Sequence, residues 1–392
     1  MLFQQSAFAI GLVAVNALWG AMHGTAAFAA DIIVSAQDGK FVRVEGRATF
    51  PQPAPPDSLV VIDASQSPPV IKGTLEGIEH TVQGPPQAVA VTPDGKLAIV
   101  AAPTRYDYAA KKELFDFFLQ IVDIEASPPK LIGKVYVGDH PNGLAINREG
   151  TLLLAASHDG AVKVLSIEGK KVSLIDHVKV GERRLSGISF THDGKAAIVA
   201  LRDENGAAVL SVDGTTVKLT NERLSTGVNP YAVDVSSDGR WAIIGNTGAA
   251  GRIVDDADVV TLVDVSRRPF RAVQQISVPA TPEGVAISPD GRWIVVSSMA
   301  GTNLLAADPG RQKIGKLGLY EIKDGWAAKV NEVPGGEAAQ GVVFSQDGKQ
   351  ILLQLDVERA LGVFAIRDGK LVDTGTRLPL AAGPVLIRSM PR

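Results

Sequence analysis

The chain of 392 residues contains no cysteine. That excludes disulfides, a thiolate nucleophile, thiolate metal ligation and covalently attached c-type haem. It carries little net charge, 39 Lys and Arg against 42 Asp and Glu, so there is no strong electrostatic footprint for nucleic acid, and none is expected as a partner. Aromatic residues are scarce at 5%, which makes any local cluster of them conspicuous. No Ser-His-Asp order, glycine-rich phosphate loop or H-E-x-x-H is present, so the common hydrolase, nucleotide and zinc-protease signatures are missing.

Long apolar runs are missing too, except at the start. Ala7 to Met22 is apolar and is followed by Ala27-Phe28-Ala29, a small-x-small cleavage pattern. We read residues 1–29 as a secretory signal peptide and expect an exported, periplasmic or secreted protein. No Lys or Arg precedes the run, and the alternative is an uncleaved anchor, although the run is short for a bilayer span. No later segment is apolar enough to cross a membrane.

What the chain has in abundance is turns, with 40 Gly and 23 Pro. The stretch Thr281 to Ser298 is a strand, a Pro-Asp-Gly turn and a β-branched second strand. Gly291 supplies the positive φ that the turn needs. Variants recur around Asp94-Gly95, Glu149-Gly150, Asp193-Gly194, Asp238-Gly239 and Asp347-Gly348. Successive turn glycines are 55, 44, 45, 52 and 57 residues apart, a β-rich period that marks the blades of a propeller. Each unit continues with a third strand, such as Leu119 to Ile124 or Val259 to Val265, and a fourth, such as Lys130 to Val137 or Ala272 to Val278.

Six full repeats leave fragments at both ends. Gly383 to Ser389 reads as a lone first strand, and Ile32 to Ser35, Ser58 to Ala64 and Pro69 to Leu75 read as strands two, three and four. Joined, they form a seventh blade that closes the ring and removes its open edges. The expectation is a single all-β domain over residues 30–392, a seven-bladed β-propeller with four antiparallel strands per blade, and a monomer.

The motif P-x-G-V-A-x-S-P-D-G-x-x-x-x-V, as it stands in Pro282 to Val296, resembles that of the YVTN-repeat and lactonase-like seven-bladed β-propellers, and the likeness extends over essentially the whole chain after residue 29. The resemblance implies the architecture. It brings no catalytic residue, because that family includes lactone hydrolases and cyclases, electron-transfer dehydrogenase subunits and propellers without known chemistry. The chain also departs from the family's name motif. Its second strands read Ile99-Val100-Ala101-Ala102 or Ile243-Ile244-Gly245-Asn246, without the tyrosine.

In such a ring the Asp-Gly turns lie on one face, and the connections between strands two and three emerge on the other. The long excursions Pro103 to Asp116, Thr247 to Asp258 and Ala300 to Gly315 all join strands two and three, which marks that face as the binding side. The residue before the small residue of each first strand is expected near the axis: Gln87, Asn142, Ser186, Tyr231, Glu283, Gln340 and Ala382. Six of these seven side chains are of hydrogen-bonding types. They suit a small polar or anionic solute, or line a water-filled channel.

His140 and His158 should reach the same face and, with Glu283 or Asp203, form an acid/base or metal-binding set, or serve as loop hydrogen-bonders. Arg184, Arg202, Arg359 and Arg388 are placed at that mouth, either clamping a carboxylate or phosphate or pairing with Asp203, Glu204, Asp356 or Glu358. Asp234 interrupts the small residues Ala90, Ala145, Ser189 and Ala286, and needs a partner there. Asp255, Asp256 and Asp258 read as a solvated acidic loop lacking the glycine-spaced pattern of a calcium cage. Tyr106, Tyr108, Phe115, Phe117 and Phe118 make the first excursion aromatic, as a partner-docking surface or lid, or as packing on its own blade.

The reading that follows is an exported propeller binding a small polar or anionic molecule, or a periplasmic protein partner, on its loop-rich face. It assigns no cofactor and no metal. Two alternatives stand beside it. One is a lactonase-like hydrolase or isomerase using His140, His158, Glu283 and Arg202, with Gln87, Asn142, Ser186, Tyr231, Gln340 and Arg184 binding the substrate. The other is a scaffold subunit of a periplasmic redox complex.

Overall fold

The computed structural model describes residue 1 and residues 31–249 and 258–392. The expected leader, and Asp255 and Asp256 of the acidic loop, lie outside the described residues. Among the described residues the chain forms seven four-stranded antiparallel sheets and two short two-stranded hairpins. The helical element among them is a single 3₁₀ turn, Arg202–Glu204, and no helix is long and apolar enough to cross a membrane.

Numbered along the chain, blade 1 has first strand Val89–Val91, blade 2 Pro141–Ile146, blade 3 Ile188–Phe190, blade 4 Pro230–Val235, blade 5 Pro282–Ile287 and blade 6 Val342–Phe344. Blade 7 is composite. Its first strand, Gly383–Ser389, pairs antiparallel with Ile32–Asp38, which pairs in turn with Ser58–Asp63, and Val70–Glu76 is outermost. Ring closure is therefore a backbone ladder, with Ile33 opposite Ser389 and Ser35 opposite Ile387. The ladder leaves neither terminal strand with an open edge toward the other.

The repeated turn has a chemical cause. In blade 1 the Thr92 hydroxyl donates to the Asp94 carboxylate at 2.6 Å and accepts the Leu97 amide at 3.0 Å. Asp94 also accepts from the Lys96 amide at 3.1 Å, and Gly95 takes φ +67°. Thr191 and Asp193, Ser236 and Asp238, Ser288 and Asp290, and Ser345 and Asp347 repeat the device. In blade 2 Asn147 alone substitutes for the pair, accepting from the Thr151 and Leu152 amides at 2.9 Å each.

The small residue in each first strand is explained by crowding at the axis. A Cβ on Gly143 would lie 2.2 Å from the Ser186 carbonyl oxygen, one on Gly187 2.4 Å from that of Tyr231, and one on Gly284 2.7 Å from that of Gln340. Neighbouring blades also exchange backbone hydrogen bonds there, such as Gly187 N to Tyr231 O at 2.7 Å and Leu144 N to Gln87 O at 2.9 Å. Further out, buried aliphatic clusters fill the space between facing blades. The fourth strands alternate exposed and half-buried residues, as in Val70–Glu76, because only one of their faces is covered.

Two connections between strands two and three fold back as hairpins. One is Thr104–Asp107 with Lys112–Phe115 in blade 1, inside the aromatic excursion. The other is Val42–Val44 with Arg47–Thr49 in blade 7, an insertion absent from the excursions named from the sequence.

The axial crowding gives a direct check. Gly187→Ala forces its Cβ against Gln87 Oε1 and the Tyr231 carbonyl, both 2.4 Å away. We expect a loss of about 1–3 kcal/mol in a denaturant titration, with a native-like far-ultraviolet spectrum.

Candidate functional site

The axial positions do not behave alike. Gln87 crosses the axis from blade 1 to blade 4, donating to Val233 O at 2.7 Å and accepting from Val233 N at 3.0 Å. Both ends of its amide are thereby used, and it forms a plug rather than a ligand contact. Asn142 donates to Leu185 O at 3.2 Å and Gln340 to Ala338 O at 3.1 Å, while Ser186 Oγ and Gln340 Oε1 are buried without a hydrogen-bond partner. Ala382 is buried and apolar.

Tyr231 and Glu283 are the centre of a charged group at the loop-rich mouth. The Arg202 guanidinium lies 4.4 Å from the Tyr231 ring centroid, a cation–π contact worth about 0.5–2 kcal/mol. Arg202 is carried by the 3₁₀ turn that follows the second strand of blade 3. Its Nε and Nη1 are buried without hydrogen-bond partners, as is Glu283 Oε2. Burial pushes the Glu283 carboxyl up to about 7, against the opposing pull of Arg202 and Arg43. Burial also pushes the Tyr231 phenol upward, with Glu283 adding to the effect, so the phenol stays protonated and able to donate. Arg184 forms an ion pair with Asp203 at 3.2 Å, the pairing weighed from sequence. Arg359 is exposed in the turn after Asp356.

Arg43 belongs to this group and was not among the residues singled out from the sequence. It sits on the blade 7 hairpin, which reaches over the mouth as far as the 299–315 loop of blade 5. Arg43 donates to Asn303 O at 3.2 Å and Gly46 O at 2.9 Å, and to the Gln83 side chain. Asp356 and Glu283 supply its opposing charges. Asp356 is itself pushed up to about 7 by burial. The signal available was the gap between the predicted strands at Ser35 and Ser58, longer than any of the three excursions named from the sequence.

The hairpin is held at both ends. At its base Lys40 bridges Asp38, at 3.2 Å, and Asp57, and the buried His80 contacts Gln37 O at 2.8 Å through Nε2. Burial lowers His80 to about 4, so it stays neutral. Along its flank Phe50 stacks on Tyr106 of the blade 1 hairpin at 3.6 Å, and the Tyr108 hydroxyl donates to Pro51 O at 2.7 Å. Tyr106 and Tyr108 of the aromatic excursion thus pack on the neighbouring blade's insertion. Phe115 and Phe117 are less than half exposed.

His140 and His158 do come together, with ring centroids 4.6 Å apart and Phe115 against both. His140 Nδ1 contacts Asp116 O at 3.1 Å. Burial first, and then His140, Arg184 and Arg202, lower His158 to about 3, and burial lowers His140 as well. Both rings are neutral at pH 7, and His158 is too weak a base to hold a proton there. The structure gives no hydrogen bond from either ring to Glu283. Among the described residues no three His, Cys, Asp or Glu side chains form a metal-binding group.

Arg388 lies elsewhere than expected. It stands at the far end of its strand, beside the Asp-Gly turns, where it donates to Ser189 Oγ at 3.1 Å and faces Asp234 at 3.8 Å. Asp234 therefore has the partner its position required, and it also accepts from Ile287 N at 3.0 Å.

No protein-family profile matches the sequence, and no curated protein matches it. Solved structures do. A protein described as a 6-phosphogluconolactonase from Bacteroides uniformis superposes with TM-score 0.65 at 15% identity, covering 92% of this chain and 100% of its own. The periplasmic gluconolactonase of Pseudomonas aeruginosa gives 0.61 at 16%, covering 92% and 99%. Kuenenia stuttgartiensis hydrazine synthase gives 0.61 at 20%, covering 78% and 90%. At these identities the likeness establishes the seven-bladed propeller fold.

The raised Glu283 carboxyl has a thermodynamic signature. Its unfolded value is lower, so between the ordinary carboxylate range and about 7 the native state holds the extra proton and stability falls as pH rises. Glu283→Gln removes that penalty. It should be more stable than the parent by about 2–4 kcal/mol at pH 8 and nearly equal to it at pH 4.5 in paired denaturant titrations.

Proposed function

We propose that this protein is an exported propeller whose loop-rich mouth binds a small anionic solute, a carboxylate or phosphate ester of sugar-acid size. The observation that carries the reading is the Arg202 guanidinium, 4.4 Å from the Tyr231 ring centroid with two buried nitrogens free of protein partners. A buried guanidinium without acceptors is costly, and an oxyanion accepting from it would recover that cost through charge-assisted bonds. Arg43 reaches the same space from above on its hairpin, and Tyr231 presents a protonated hydroxyl. The export assignment rests on the apolar leader and on the periplasmic location printed for the Pseudomonas relative in fold.

Glu283 sets the pH behaviour. While protonated it donates to an anion, and once ionised it repels one, so affinity should fall as pH rises through about 7. Isothermal titration with gluconate and 6-phosphogluconate tests this. We expect saturable binding, about 10- to 100-fold weaker in Arg202→Gln, and a pH dependence that Glu283→Gln flattens. Binding unaffected by Arg202→Gln would remove the reading.

A second reading, lactone hydrolysis, is favoured by one feature: a carboxyl that titrates near neutral pH beside an arginine and a phenol. The protonation state of Glu283 lets it pass a proton in either direction, Arg202 would stabilise the developing carboxylate, and the two gluconolactonase-named neighbours act on such rings by name. Incubation with a δ-lactone panel separates the readings. Hydrolysis above the spontaneous rate, lost about 100-fold or more in Glu283→Gln, supports an enzyme, and the spontaneous rate alone supports a binder.

A further inference from the structure

The plug formed by Gln87 divides the axis, and the other end has a composition of its own. Between the Asp-Gly turns lies a cavity of about 110 Å³ lined by all seven first strands, several times the space a single water needs. It exists because Ala90, Ala145, Ser189 and Ala286 are small where Asp234 is not. Aliphatic side chains such as Val91, Ile146 and Val343 share its walls with the polar Ser189, Thr191, Asp234 and Arg388.

Three arginines line this space: Arg148 is exposed and contacts His192 Nε2 at 3.1 Å, and Arg388 and Arg392 are half-buried. Arg388 donates through Nη2 to Ser189 Oγ at 3.1 Å and Ile188 O at 3.5 Å, while its Nη1 is 3.8 Å from Asp234 Oδ1, too far for a hydrogen bond. Arg392 donates to Ile287 O at 3.0 Å and Phe344 O at 2.7 Å, and its Nε is buried without a partner. The other nearby carboxylate, Asp31, already accepts from Gln346 N at 2.6 Å. Two guanidiniums thus keep unused donors beside one loosely held carboxylate.

We propose that this end of the axis is a second binding site, for a small oxyanion of phosphate size, separate from the loop-rich mouth. The anion would accept from Arg388 Nη1 and compete with Asp234 for it. Asp234 is then a gatekeeper by charge, and its isosteric neutral variant should bind more tightly, since an amide oxygen can still accept from Ile287 N.

The test is isothermal titration of the full chain with inorganic phosphate, with acetate as a planar comparator, all in the Arg202→Gln background so that the mouth does not contribute. One saturable phosphate site is expected, about tenfold tighter on adding Asp234→Asn and about tenfold weaker or lost on adding Arg388→Gln. Ser189→Ala, which leaves both arginines in place, should weaken it modestly and provides a folded variant should Arg388→Gln not fold. Absence of saturable phosphate uptake in the Arg202→Gln background overturns the proposal, as does an Asp234→Asn variant that binds no more tightly. Either outcome leaves the reading of the mouth intact, because that reading is tested by the loss of sugar-acid binding in Arg202→Gln itself.

Discussion

Everything in this molecule depends on how closely seven first strands approach one another at the axis. The contact is between backbones: Gly187 against Tyr231, Gly143 against Ser186, Gly284 against Gln340. Residues without a Cβ, or with a single methyl, permit it, and the approach fixes the diameter of the ring. A narrow ring lets one glutamine span it and turns a continuous channel into two compartments with different chemistry. The Asp-Gly turns and the shared seventh blade then hold the strands at that spacing.

The two compartments solve the burial of charge differently. At the loop-rich mouth, carboxyls that burial keeps protonated near neutral pH, Glu283 and Asp356, stand among arginines. That arrangement lowers the amount of buried charge without lowering the number of hydrogen-bonding groups, which is what a polar site needs while it waits for a solute. At the other end Arg388 and Asp234 remain a charged pair 3.8 Å apart. The hairpin bearing Arg43 reaches the blade 5 loop at Asn303 and is fixed by the Phe50 and Tyr106 stack.

The fold was legible because its cause is local and repeated. Ser or Thr two residues before Asp, followed by Gly, specifies the turn by its own hydrogen bonds, and the spacing of those turns counts the blades. The split seventh blade was legible for the same reason. The site was legible only in part. Position in the repeat places Gln87, Tyr231 and Glu283 near the axis, but whether a side chain stops there or crosses depends on ring diameter, which no single repeat contains. Arg388 was placed on the wrong face although its strand could have been counted: it is five residues beyond Gly383, about 17 Å at about 3.3 Å per residue, which carries it to the opposite end. Arg43 lies outside the repeat, in an insertion whose contacts with Asn303 span the mouth, and no spacing rule reaches it.

The most direct measurement of the central claim, that the loop-rich mouth is a site for a small anion, is a crystal structure of the protein grown with millimolar 6-phosphogluconate. The account predicts ligand density within hydrogen-bond distance of Arg202, below the Arg43 hairpin and beside Tyr231 and Glu283. A fully diffracting crystal with the mouth holding only ordered water, or with the ligand bound solely at the outer edge of a blade, would contradict it.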